Sequence, residues 1–354
     1  DILTALGNYE KSVDFLESSL DTYSQLNDTL SFTLAQASLG LNYIGQGKYP
    51  QAENVMLLSR KAFEGLPETE FYVDNVNSNI ALAQMALGRS NQAIAIYEEL
   101  LHKDSAYFGV GHPKYLTSLI NVGMAYNDID DHNKAESYML KALTIVTDIY
   151  GEKSKNEASI YTNLGIIKRE KGDFDAALNA FDSAEELFIN STGKETIEFS
   201  TVKFNKGVTL LLMDSDLAEK ELISSLKLRK SLVGIGHPKY AESTNYLGLY
   251  YWKKSDLKNA RKYFEETFIN FFDQIQQFFP VLSEEEKTKF YFNNLKPAFE
   301  QYASLSAQLM NDSPDILGEL YNYQLRTKGI IMVATEKLRR NIYESGDSTL
   351  IIDF

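Results

Sequence analysis

The chain of 354 residues contains no cysteine, only four histidines and a single tryptophan. The missing thiols exclude disulfides, thiolate metal sites and a cysteine nucleophile within it, and leave the compartment open. Positive charge is also in deficit: 35 Lys and Arg stand against 49 Asp and Glu, a formal net charge of −14. A field of that sign repels phosphate backbones and acidic bilayers, so nucleic-acid and membrane binding are disfavoured and a partner with a basic segment is favoured. Long apolar runs are absent too. The stretch from Gly329 to Ala334 is among the longest and falls far short of the roughly 20 residues that span a bilayer. No signal peptide is legible, which makes a cytoplasmic location the expectation. The opening at Asp1 in mid-motif and the end at Ile351-Ile352-Asp353-Phe354 are what an excised piece of a longer chain would show.

What is present is ample core material. Hydrophobic residues make up 44% of the chain, with 22 Tyr and 20 Phe, so disorder over most of the length is excluded. One small residue keeps a beat of about 42 residues: Gly40, Ala81, Gly123, Gly165, Gly207 and Gly248. A second follows twelve positions later, at Ala52, Ala93, Ala135, Ala177 and Ala260, with Ala218 at eleven. A fixed period in this range means stacked units, each burying its apolar face only against its neighbours.

Within the unit 163–184, Leu164 and Gly165 sit on one helix and Gly172 breaks it. Phe174, Ala177, Phe181 and Ala184 then mark one face of a second helix. The small residue lets paired helices approach, and the Gly or Asp ends the first of them. Three departures stand out: Ala81 replaces the glycine, Ser90 replaces the aromatic, and the Met213–Leu217 turn reads one residue short.

This pattern resembles the tetratricopeptide repeat, in six full units and a truncated leading one (Gly7, Tyr9, Ser12, Leu16). The period exceeds the usual ~34 residues because each unit carries an added segment before its first helix. Two such segments, Gly109-Val110-Gly111-His112-Pro113-Lys114-Tyr115 and Gly234-Ile235-Gly236-His237-Pro238-Lys239-Tyr240, are near copies. They are similar to the kinesin-light-chain-type subset. The resemblance implies an all-α, right-handed α-solenoid over residues 1–272, and a helical C-terminal extension over 273–354. Arrays of this family bind proteins or peptides and need no cofactor.

The chemistry-bearing residues mostly have structural readings. His112 and His237 lie three units apart, on the order of 30 Å at ~10 Å per helix pair, and cannot share a metal. Proline after each is ordinary helix-start chemistry. Gly109-Val110-Gly111 begins like a phosphate-binding fingerprint, but Lys114 stands where its third glycine belongs. His102 and His132 are isolated. Asp128, Asp130 and Asp131 cluster in a turn, where a solvated loop is the reading. No constellation supports an enzyme within this chain.

More informative is an asparagine two residues before the small one: Asn79, Asn121, Asn163 and Asn205. Two positions at 100° each turn these amides about 200° from the face that meets the second helix, towards the concave groove of a stacked array. Mid-helix Asn is unfavourable by propensity. Four in register either bind a partner's backbone or bond one another as an internal ladder. One residue after the small one run Leu41, Leu82, Met124, Ile166, Val208 and Leu249. They read as an apolar flank of the same groove, or as burial against the next unit. Asn79, Asn121, Asn163, Asn205, Leu82, Met124, Ile166 and Val208 are therefore the candidate partner-binding residues.

Past Phe272 the beat stops. Ser283-Glu284-Glu285-Glu286 reads as the capped start of a helix running to Leu309, bent or divided at Pro297. Ser313-Pro314-Asp315 opens another, running to about Tyr343 before Gly346. Arg326, Lys328, Lys337, Arg339 and Arg340 make it the one locally basic stretch. The runs from Phe279 to Glu286, from Tyr321 to Gly329 and from Ser345 to Leu350 resemble the junction in bacterial TPR–CHAT proteins, where repeats and a helical connector precede a caspase-like domain. That resemblance implies a scaffold that regulates or targets an attached protease domain, itself a candidate partner. The family's His–Cys dyad maps onto no residue here. The alternative is a receptor for a signalling peptide or small ligand, whose pitch changes on binding.

Overall fold

The computed structural model describes residues 9–279, 282, 287 and 290–328. Every regular element among them is helical. Eleven helices precede residue 237: α1 (Tyr9–Gln25), α2 (Thr29–Gly45), α3 (Tyr49–Glu64), α4 (Glu70–Ala86), α5 (Ser90–Tyr107), α6 (Pro113–Asp128), α7 (His132–Tyr150), α8 (Lys155–Glu170), α9 (Phe174–Ser191), α10 (Ile197–Leu212) and α11 (Leu217–Val233). They form the first of two compact units, Asp1–His237. The second, Pro238–Phe354, contains α12 (Pro238–Lys253), α13 (Leu257–Phe278), a π-helical turn (Tyr291–Leu295) and α14 (Lys296–Leu309). The chain is an α-solenoid of helical pairs.

The beat in the sequence is a steric requirement. Each small residue is buried at the middle of a first helix, facing the side chain about 16 positions on. A β-carbon on Gly40 would stand 2.7 Å from Cγ of Met56; on Gly207, 2.8 Å from Cγ of Leu222; on Gly248, 2.9 Å from Cδ1 of Phe264. The second small residue, at Ala52, Ala93, Ala135, Ala177, Ala218 and Ala260, is wholly buried in every unit. Two helices meet there at backbone distance, and a larger side chain would push them apart.

The turn inside each pair is equally repetitive, although its residues are not. Seven positions after the small residue the backbone turns left-handed: Gly47, Gly88, Asp130, Gly172, Asp214 and Ser255 have φ between 59° and 81°. In the α8–α9 turn Asp173 N–H donates to Lys168 O at 2.9 Å and Gly172 N–H to Arg169 O at 2.9 Å. That satisfies the orphan carbonyls that end a helix. An aspartate then caps the next helix: Asp131, Asp173 and Asp256 accept from Lys134, Ala176 and Asn259 N–H at 3.1–3.2 Å. Each such cap contributes about 1 kcal/mol. The single-residue shortening near Met213 falls in the first turn of α11 and not in the connecting turn. Asp214 keeps the left-handed turn (φ 61°), while Asp216 makes no side-chain cap.

His112 confirms its structural reading: its Nδ1 accepts from Lys114 N–H at 3.2 Å with Pro113 opening α6. In the aspartate cluster, Asp131 is a cap and Asp128 accepts from Ser90 Oγ of the preceding unit. The loss of the aromatic at 90 thus becomes a bond between units.

In the second unit, α13 runs unbroken across residue 272 to Phe278. Phe268 is its centre, with Phe299, Tyr302 and Tyr323 ring centroids at 5.0, 5.4 and 4.7 Å. Pro297 lies in the first turn of α14, directly after the π-helical turn. A proline N has no hydrogen to donate, and the wider π turn accommodates the break. A further helical run extends over 315–328 after Ser313 and Pro314. The run from Ser283 to Glu286, the basic residues Lys337, Arg339 and Arg340, and the stretch from Tyr343 to Leu350 lie outside the described residues.

Candidate functional site

The four asparagines occupy equivalent places on α4, α6, α8 and α10, but their surroundings differ. Asn205 is buried, its Nδ2 donating to Thr201 O at 2.9 Å and its Oδ1 accepting from Arg169 Nη1 at 2.7 Å. Asn121 Nδ2 reaches Ser78 Oγ on the preceding first helix at 3.4 Å. Asn79 and Asn163 are half-buried and make no side-chain hydrogen bond among the described residues. Two of the four therefore link neighbouring units, and two keep an uncommitted amide.

The apolar row is graded along the chain. Leu41 is 42% exposed and Leu82 44%. Met124 and Ile166 are half-buried against core clusters that run across neighbouring units. Val208 is only 4% exposed, so it belongs to the core and not to a surface. The cause is local: α10 also buries Phe199, Val202, Phe204, Leu210 and Leu211, and has almost no free side. An Asn and the apolar residue three positions on are neighbours on a helix surface. Asn79 with Leu82 and Asn163 with Ile166 thus present an amide beside an aliphatic side chain.

Around this row the structure adds polar links that the sequence pattern did not single out. Asn127 Nδ2 donates to Glu170, and Asn127 Oδ1 lies 3.0 Å from His132 Nδ1. Glu170 pairs with Arg169 at 3.2 Å, and Arg169 reaches Asn205. The chain His132–Asn127–Glu170–Arg169–Asn205 thereby crosses three units. Nearby, Glu136 on α7 accepts from Lys168 on α8 and from Lys171 just past its end, each at 2.6 Å. The Lys168 hydrogen bond, followed by that of Lys171, holds the Glu136 carboxyl below its ordinary range. Asn127, Lys168, Arg169 and Glu170 stand three to five residues after the small one. Their signal was the charged or amide side chain recurring there, at Gln84, Asn127, Lys168 and Arg169.

No group of three or more His, Asp or Glu able to hold a metal occurs among the described residues, and no helix there is long and apolar enough to cross a membrane.

This architecture defines the class: the chain carries tetratricopeptide repeats, and a family model described by that name matches residues 72–148 and 118–190. Among curated proteins it is similar to a clustered mitochondria protein homolog of Coccidioides immitis, 24% identical over 117 residues, or 33% of this chain and 9% of that protein. The chain thus spans about a tenth of the length of that relative. Its fold is like that of a Rap protein complexed with competence and sporulation factor (TM-score 0.62, 16% identity, 91% of this chain and 84% of that one). It is also like that of NprR in complex with its cognate peptide NprX (TM-score 0.60, 16% identity, 85% and 84%).

Proposed function

We propose that the chain is a protein- or peptide-binding scaffold whose contact face is formed by the first helices of its units, at Asn79, Leu82, Asn121, Met124, Asn163 and Ile166. The observation that carries this is the uncommitted amide of Asn79 beside Leu82, which is 44% exposed on the same face. An amide offers one donor and one acceptor pair to a bound backbone regardless of sequence, and the adjacent aliphatic surface removes apolar side chains from water. The formal charge of −14 favours a basic partner. Groove contacts of this kind are commonly micromolar, about −8 kcal/mol.

The finer reading is that the scaffold regulates or targets an attached caspase-like domain, so that binding occurs within one longer chain. High effective concentration would then make even weak contacts sufficient. That reading rests on the resemblance of residues 279–286, 321–329 and 345–350 to the TPR–CHAT junction. A second reading, a signalling-peptide receptor whose pitch changes, is favoured by the likeness of fold to NprR in complex with its cognate peptide NprX, over most of the chain.

One capture experiment separates the intramolecular regulator from a targeting arm. The chain and its Leu82→Asp variant are immobilised and exposed in parallel to source-cell extract and to a separately expressed caspase-like segment. Capture of that segment, lost in the variant, supports the intramolecular regulator. Capture of another protein, lost in the variant, supports targeting. Equal capture by both proteins at equal helicity removes the first-helix face as the site.

A further inference from the structure

At one junction of the array the repeat is broken in a way that builds a cavity. It is about 630 Å³ and is walled by the end of α3, the start of α4, the end of α5 and the start of α6. That volume is within the range of ligand pockets. Phe71, Tyr107 and Phe108 line it, 51%, 87% and 43% exposed.

These aromatics belong to no repeat consensus. Phe71 stands ten positions before its unit's small residue, where the other units have Leu30, Pro113, Lys155, Ile197 and Pro238. The pair Tyr107-Phe108 stands where others have Leu66-Pro67, Ile149-Tyr150 and Ser191-Thr192. Structural roles in a repeat array recur in every unit. A cluster of exposed rings at one junction does not recur, and beyond the contacts of Phe71 with Lys114 and of Phe108 with His112 it leaves Tyr107 turned to solvent.

The electrostatics select the ligand. Glu64, Glu70, Asp74 and Asp104 line the cavity against Lys103 and Lys114. Lys103 is saturated by Asp74 at 3.2 Å and Glu99 at 2.9 Å. Asp104 accepts from Ser118 Oγ at 2.6 Å. Glu64 has only the exposed Arg60 at 3.6 Å, and Glu70 has no ion-pair partner among the described residues. The charge left to meet a ligand is therefore negative. The rings already hold one cation: Lys114 Nζ lies 3.7 Å from the Phe71 centroid and 5.7 Å from that of Phe108, while donating to Asn75 Oδ1 at 3.1 Å. Burial pushes that ammonium below its ordinary value; the two ring faces and the Asn75 side-chain carbonyl are what hold the cation there.

We propose that this cavity is a second binding site, for an extended peptide segment in which a basic side chain adjoins an aromatic one. The basic group sits towards Glu70 and Glu64, and the aromatic ring stacks on Phe71 and Tyr107. The site shares no residue with the Asn and aliphatic face, so the two readings fail separately.

The test is an anisotropy titration of the full chain with rhodamine-labelled, C-terminally amidated Gly-Ser-Arg-Phe-Ser-Gly and its counterpart with Glu for Arg. The Arg peptide is expected to bind at least tenfold more tightly. Tyr107→Ser, at a position 87% exposed, is expected to weaken it at least fivefold with unchanged melting, and Glu70→Gln to narrow the gap between the peptides. Equal binding of the two peptides, no binding at millimolar chain, or unchanged binding by Tyr107→Ser overturns the proposal. Competition by tryptamine as effective as by the unlabelled peptide overturns the peptide as occupant in favour of a small aromatic cation.

Discussion

Gly165 and Phe181 face each other so closely that a β-carbon on the glycine would stand 2.5 Å from Cε1 of the ring and 2.7 Å from Cδ1. Neither is exposed, and the ring has no vacant space to enter. Gly165→Ala therefore sets two effects against each other. Alanine gains about 1 kcal/mol of helix propensity over glycine, while overpacking costs about 1–3 kcal/mol. With the clash on a rigid ring, overpacking wins, and the expected net loss is about 1–2 kcal/mol, a drop in Tm of roughly 3–6 °C. Gly318 offers the opposite case, because a β-carbon there would touch nothing within 4 Å. Gly318→Ala lies in the helical run 315–328 and is expected to stabilise by about 0.5–1 kcal/mol. Differential scanning calorimetry of both variants checks the signs; stabilisation by Gly165→Ala would sink the close-approach account of the repeat.

That close approach is why the fold was legible. A helix pair that meets at backbone distance admits only the smallest residues, here Gly165 and Ala177, so the constraint is written directly in the residue. The left-handed turn was half-hidden, because Asp130, Asp214 and Ser255 serve as well as Gly172; a polar side chain near a turn has many other uses. The contact face was legible only as a list of positions. Whether Val208 or Leu82 meets solvent depends on how completely neighbours surround each helix, and no spacing rule carries that. The Phe71, Tyr107 and Phe108 cavity was not legible, since its walls come from residues 63–114 brought together by stacking.

Asn205 and Asn163 separate structure from binding. Asn205→Ala deprives Arg169 Nη1 of its acceptor in a partly buried chain of polar groups, a loss of about 1 kcal/mol. Asn163 has no such partner, and Asn163→Ala is expected to change stability by less than ~0.5 kcal/mol while weakening partner capture. Urea melts beside capture yields measure both. If Asn163→Ala melts early and Asn205→Ala does not, the division of the row into linking and contacting amides is wrong.

Glu136 makes the first unit sensitive to acid. Its carboxyl accepts from Lys168 and Lys171 and titrates below its ordinary value of 4.5. A carboxyl depressed in the folded state contributes stability above its unfolded pKa, and loses it as pH falls through the folded value. Glu136→Gln is thus expected to lower Tm at pH 7 by about 2 °C, for an interaction on the order of 1 kcal/mol in a partly exposed network. The deficit should shrink as pH falls below the ordinary value and is lost once the carboxyl is protonated in the folded state. A deficit constant through that fall would assign the loss to packing instead of charge.

Arg261 holds the helical run 315–328 against α13. Its Nε donates to Glu265 Oε1 at 2.7 Å, and its Nη2 reaches Asp315 at 2.6 Å and Glu319 at 2.8 Å. Tyr302 OH donates to Glu319 at 2.9 Å beneath them. Arg261→Gln leaves three carboxylates together without a counter-charge, a geometry between the exposed and buried cases and expected to cost about 2 kcal/mol. Amide exchange within 315–328 should accelerate roughly 30-fold, since 1.4 kcal/mol is tenfold, with α2–α11 unchanged. Burial, together with the nearby Glu319, pushes the Glu265 carboxyl above its ordinary value. Protonation therefore favours the folded form there, and the variant should recover much of its protection as pH is lowered towards 4. Acceleration spread evenly over the chain, or one indifferent to pH, would mean that Arg261 acts through its aliphatic stem packing and not through its charge.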